Sequence, residues 1–185
     1  MLLLLSLACA PESAPVCSPY SGIVSEGRAF TYSAFDGDNV WTEQVTSISE
    51  AGDVEVKSEA STEHYQCDAE GLWQTDLIVE SELGTERWDF EPRMLVVPAG
   101  LAVGDAWTSE RAEAYTGPNA ETSMRSSSTQ YEVTGEVEIT VEAGTFTALE
   151  IASLGEDAEH DLLYRDGDKG LILTNTYQFV GVVED

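Results

Sequence analysis

From Arg28 onward apolar and polar residues alternate at period two, the pattern of strands with one buried and one wet face, and helical periodicity is weak throughout. Phe30, Tyr32 and Ala34 alternate with Thr31 and Ser33, and Asp36-Gly37-Asp38-Asn39 then turns the chain into Val40 to Ile48, which predicts a first hairpin. Ala51-Gly52-Asp53 turns it again into Val54-Glu55-Val56. The stretch through Tyr65 and Cys67 leads by Ala69-Glu70-Gly71 into Leu72 to Val79, so these four segments read as a meander. Pro92 to Gly100 is apolar but carries Pro92 and Pro98, which lack the N–H that a sheet interior needs, and fits an edge strand or a connection. A strand is expected from Asp105 toward Tyr115, ended by Thr116-Gly117-Pro118-Asn119, and the Ser- and Thr-rich stretch Thr122 to Gln130 fits an exposed strand or loop. Tyr131 to Val141 alternates apolar and acidic residues, with Gly135 marking a bulge or bend. Glu142-Ala143-Gly144-Thr145 turns into Phe146 to Ile151, and the closing strands are His160 to Tyr164 and Leu171 to Val183.

The N-terminus departs from this pattern. Met1 to Ala8 is an apolar run ending at Cys9, far shorter than the roughly 20 residues a membrane helix needs. It resembles the end of a bacterial lipoprotein signal peptide, in which a small residue precedes a cysteine that takes a diacylglyceryl group. Ser6 stands where that motif carries a branched residue, and no Lys or Arg precedes the run, as a start placed downstream of the true one would explain. The alternative is a buried apolar segment of a cytosolic protein. On the export reading, residues 1–8 are a signal remnant, 9–26 are the lipidated Cys9 with a Pro- and Ala-rich tether, and 27–185 are the domain. Cys17 and Cys67 then remain as a pair, and a disulfide between them would persist outside the cytosol; the alternative is two free thiols acting as small hydrophobes. No Cys-x-x-Cys or Cys/His spacing supports a zinc or redox site.

Length and charge narrow the classes. At 185 residues the chain makes one domain of ordinary size, and 8 Lys+Arg against 35 Asp+Glu give a net charge of −27, which repels phosphate backbones. Nucleic acid is therefore excluded as a partner, and 42% hydrophobic residues are too many for a disordered acidic tail.

Two stretches, Pro98 to Trp107 and Val133 to Ile151, together resemble the TapB-like domain of unknown function, found in bacterial secreted proteins and lipoproteins. Pro98 to Trp107 is similar to its apolar-x-x-Gly-x-x-Trp segment, and Val133 to Ile151 resembles its Val-Pro-Ala-Gly-Thr-Phe hairpin, with Glu142 where Pro is usual. Lys169-Gly170-Leu171-Ile172 looks like the start of the family's last strand, so the resemblance covers roughly the C-terminal half. It implies an all-β fold, a single antiparallel β-domain forming a strongly curved sheet or half-barrel/sandwich able to enclose an apolar concavity, and it carries over no catalytic residue. Gly144 would supply the positive φ of a tight turn, Phe146 would drop into the core, and Trp107 offers the largest single burial available.

Candidate chemistry is sparse. A hydrolase base would have to be His64 or His160, no G-x-S-x-G elbow accompanies either, and the bland reading of both is a strand residue near solvent. Carboxylate pairs are uninformative among 35 acids. Calcium is the sharper alternative: Asp36 and Asp38, and Asp166 and Asp168, each flank a glycine, without EF-hand spacing, and Asp-Gly is also an ordinary hairpin turn. Residues 155–161 add four acids in seven positions. Trp41, Trp73, Trp88 and Trp107 and the tyrosines supply most of the large groups for a core, with a subset available to line a pocket. The sequence therefore reads as an exported β-domain, anchored to the outer membrane through Cys9, with no cofactor. It is expected to bind or scaffold rather than catalyse, with an apolar small molecule, a lipid or a protein as partner.

Overall fold

The computed structural model describes Cys17 and residues 23–34, 39–154, 160–166, 170–173 and 177–183, with the backbone alone of 154, 160–166, 170–173, 177–178 and 182–183. Among these residues every element is a strand. In chain order they are Ala29–Ala34 (β1), Val40–Ile48 (β2), Asp53–Lys57 (β3), Ser61–Cys67 (β4), Gly71–Ser81 (β5) and Gly84–Pro98 (β6). Then follow Ala106–Thr116 (β7), Thr122–Val141 (β8), Gly144–Leu154 (β9), His160–Asp166 (β10), Gly170–Leu173 (β11) and Tyr177–Val183 (β12).

Each strand pairs antiparallel with its chain neighbour, as short loops between alternating segments require. β1 pairs with both β2 and β12, so the strongly curved sheet expected from the sequence continues until its ladder meets its own start. The joint between β11 and β12 is slight, a single pair, Leu173↔Gln178. A register shift at Val133/Gly135 puts the bulge at the glycine that marked it. Gly144 has φ 133°, the turn conformation expected of it.

Several segments differ from their sequence reading. The sequence pattern assigns no element to residues 84–90, which form the first half of β6, turned back from β5 by Glu82-Leu83. The Pro92–Pro98 segment is the second half of that strand. On β6, β7 pairs in a ladder only with Arg87 to Phe90, so Met94 to Pro98 share a ladder with β5 alone, the Ser109 hydroxyl of β7 donating to the Leu95 carbonyl, and the prolines lie where no second ladder asks for their N–H. Thr122 to Thr129 likewise pairs only with β7 and forms an exposed strand. The expected closing strand Leu171–Val183 is two strands, β11 and β12.

Two apolar clusters fill the interior. One gathers Cys17, Val24, Val45, Val54, Cys67, Leu72 and Val97. Cys17 and Cys67 are joined by a disulfide, with Cys67 wholly buried, and this ties the segment before β1 to the end of β4. The other is aromatic: Phe30, Tyr32, Val141 and Phe179, with Phe146 packed against it. Ile139 and Val141 of β8 reach Phe30 and Phe179 although β8 pairs with neither β1 nor β12, so the sheet closes over packed side chains there. Phe146 meets Phe179 edge-on at 5.9 Å.

The tryptophans are not the deepest residues. Trp107, expected as the largest burial, is half-buried and stacks on Tyr131 with ring centres 4.9 Å apart, while Phe179, Ile151 and Val133 occupy the innermost positions. Ring area is gained against a neighbouring strand instead of across the core.

Candidate functional site

Period-two alternation places Trp41, Glu43 and Val45 on one face of β2, and Glu63, Tyr65 and Cys67 on one face of β4. That face points inward, because Val45 and Cys67 belong to the core. Two carboxylates therefore enter the interior among valines. Between the two clusters lies a cavity of about 280 Å³ lined by Ile23, Val24, Phe30, Tyr32, Glu43, Val45, Val54, Val56, Glu63, Tyr65, Leu72 and Val96.

Both carboxylates of this cavity are hydrogen-bonded. The Trp41 indole N–H donates to Oε1 of Glu43 at 3.0 Å. Oε2 of Glu63 accepts from the Tyr65 hydroxyl and from Nε2 of Gln74, the latter at 2.9 Å. Oε2 of Glu43 and Oε1 of Glu63 take no hydrogen bond from the described residues. Burial pushes the Glu43 carboxyl above its ordinary range, the Trp41 bond pulls it back, and the negative charge of Glu63 pushes it up again. An apolar cavity with a few convergent polar groups and a perturbed acid is the usual form of a small-molecule site.

The outer face of the same strands is organised differently. His64, adjacent to both Glu63 and Tyr65, points the other way, with Nδ1 2.7 Å from Oδ1 of Asp76 and Nε2 3.4 Å from Oε2 of Glu55. Lys57 Nζ lies 2.8 Å from Glu55, Arg87 Nη2 lies 3.6 Å from Asp76, and Arg87 Nε lies 2.7 Å from Asp89, so charges of alternating sign cross β3 to β6. The hydrogen bond with Lys57, helped by one from the Thr46 hydroxyl, holds the Glu55 carboxyl down at about 2. Both ring nitrogens of His64 face carboxylates, and the Thr75 hydroxyl donates to the His64 backbone carbonyl at 3.1 Å. A hydrolase base needs one ring nitrogen on a hydroxyl nucleophile, whereas the partners of the His64 ring nitrogens among the described residues are the carboxylates of Asp76 and Glu55.

At the β4–β5 turn, burial would raise the Asp68 carboxyl, but the N–H groups of Glu70 and Gly71, the Trp73 indole and Arg93 together hold it below its usual range. Arg93 reaches Oδ2 of Asp68 at 2.6 Å and lies over the Trp73 ring at 4.4 Å, a surface clamp on the turn.

The remaining expected positions are scattered. Cys9, Asp36, Asp38 and Asp168 lie outside the described residues; Asp166 ends β10, where it pairs with Gly170, and His160 starts that strand, both known by backbone alone. Among the described residues no three His, Cys, Asp or Glu side chains gather as metal ligands. The sequence reading missed Glu43 and Glu63. Their signal was available: each falls in phase with the apolar positions of its strand rather than with the polar ones.

No family model matches this chain, and no curated protein or solved structure matches it significantly.

Proposed function

We propose that this domain is a non-catalytic binding module that takes a small apolar molecule, or one end of a lipid, into the cavity between its two core clusters. The observation that carries this reading is the cavity of about 280 Å³ walled by Val45, Val54, Val56, Leu72 and Val96, with Glu43, Glu63 and the tyrosines Tyr32 and Tyr65 as the polar residues among its described lining. At roughly 30 Å³ per heavy atom, the share a water takes in the liquid, it holds about nine heavy atoms. Valine walls offer few hydrogen bonds to a sugar, which argues against using the two glutamates as a glycosidase pair.

Export belongs to the same proposal: a lipid anchor at Cys9, an outer-membrane location and a disulfide-permissive compartment. The Cys17–Cys67 bond supports it, since such bonds persist in oxidising compartments. The proposal also keeps the chain with the TapB-like domain that its C-terminal half resembles, Gly144 and Phe146 serving there as turn and packing residues. Native mass spectrometry of the full chain, recovered from a bacterial envelope, tests the reading. A discrete adduct that survives chelation and is missing from a Val45→Trp variant of unchanged melting behaviour is expected; a clean polypeptide mass that also fails to take up 1-octanol would overturn it.

A further inference from the structure

Among the described lining residues the charged groups are both carboxylates, Glu43 on β2 and Glu63 on β4, and each keeps one oxygen free of hydrogen bonds from the described residues. Aromatic rings share the wall: Phe30, Tyr32 and Tyr65. Ring faces and carboxylates attract the same kind of partner, a positive charge, and the aromatic contribution grows as water is excluded. Phe30 already accepts a cation, for the Arg28 guanidinium lies 5.3 Å from its ring centre. Arg28 directly precedes β1, and among the described residues it forms no ion pair with Glu43 or Glu63. Among the described lining residues the other titratable ones are Tyr32 and Tyr65.

Resting on the reading that the cavity binds an apolar molecule, we propose that its ligand is a hydrophobic amine: an aliphatic body against the valines and a cationic head between Glu43 and Glu63. Three end-groups compete for the two carboxylates of such a cavity. An anionic head meets two carboxylates and is repelled. A neutral hydroxyl gains one ordinary hydrogen bond. A cationic head gains a charge-assisted bond to a carboxylate whose desolvation the folded protein has already met, and it relieves the repulsion between the two acids. The protein's charge of −27 draws cations toward the surface as well, but salt screens that attraction and leaves a contact inside the cavity largely intact.

The test compares octylammonium, 1-octanol and octanoate, each of a size the cavity holds, by calorimetric titration of the full chain at neutral pH. Octylammonium is expected to bind at least tenfold more tightly than octanol, and octanoate more weakly than either. The double variant Glu43→Gln, Glu63→Gln is expected to keep octanol binding and lose the preference. Equal affinity for amine and alcohol, or a preference unchanged in the double variant, would overturn the amine proposal while leaving the cavity reading standing. Failure of all three probes would overturn both. If the double variant does not fold, salt decides: a preference that persists at about 0.5 M salt supports a buried contact, and one that vanishes is the diffuse surface field and contradicts the proposal.

Discussion

Trp41 and Glu43 stand two residues apart on one face of β2, and the indole N–H of the first donates to the carboxylate of the second at 3.0 Å. The bond gives a buried acid one donor where bulk water would give several, so the carboxyl stays above its ordinary range.

Stability should report this. Glu43 binds a proton more tightly in the folded than in the unfolded chain, so stability falls as pH rises from the ordinary carboxyl value through the raised one. Glu43→Gln removes that slope. The variant should match the wild type at low pH and exceed it by about 1 kcal/mol at neutral pH, as expected when an incompletely satisfied buried charge is removed. Urea unfolding across pH 4 to 8 reads the difference.

Glu55 gives the opposite sign. Its carboxyl is held at about 2 from an ordinary 4.5, so its contribution is complete above the ordinary value and is lost as pH falls toward 2. The site is partly exposed, and solvent screening keeps the contribution below about 1 kcal/mol. Glu55→Gln should therefore be slightly less stable than wild type at neutral pH and indistinguishable from it at the acid end of the same titration.

The Cys17–Cys67 bond closes a sequence separation of 50 residues. Loop-closure entropy for such a span is worth about 4 kcal/mol. Cys17→Ser with Cys67→Ser should lose an amount of that order in urea unfolding, and reductant should have no effect on the variant.

Gly71 lies against its neighbours so tightly that a Cβ there would sit 2.5 Å from Leu95 Cδ1 and 2.8 Å from the Val97 carbonyl oxygen. The leucine end has freedom to move and the carbonyl does not. Gly71→Ala should cost about 1–3 kcal/mol, measured as a lowered melting temperature, whereas Gly135→Ala, with nothing within 4 Å, should cost less.

The strands were legible where one face is apolar and the other charged, as in Val133, Val137, Ile139 and Val141 against Glu132, Glu136 and Glu138. Closure of the ladder was not: the β1–β12 pairing joins the two ends of the domain, and no local period encodes it. Nor was the first half of β6, where Glu86, Trp88 and Phe90 face inward while Arg87 and Asp89 form the outer ion pair, because an acid shares the apolar face. The same feature hid the cavity. Glu43 and Glu63 counted as polar positions although they lie in phase with Val45 and Cys67, and only the curvature of the sheet brings β2 and β4 around one space.

The central claim, a small apolar ligand held between the two core clusters, is tested most directly by methyl NMR of the full chain titrated with 1-octanol. The account predicts saturable shifts at Val45, Val54, Val56 and Leu72, which line the cavity, with the exposed Leu83 and Val103 unmoved. Shifts confined to Leu83 and Val103, or no saturable shift at the lining methyls, would contradict it.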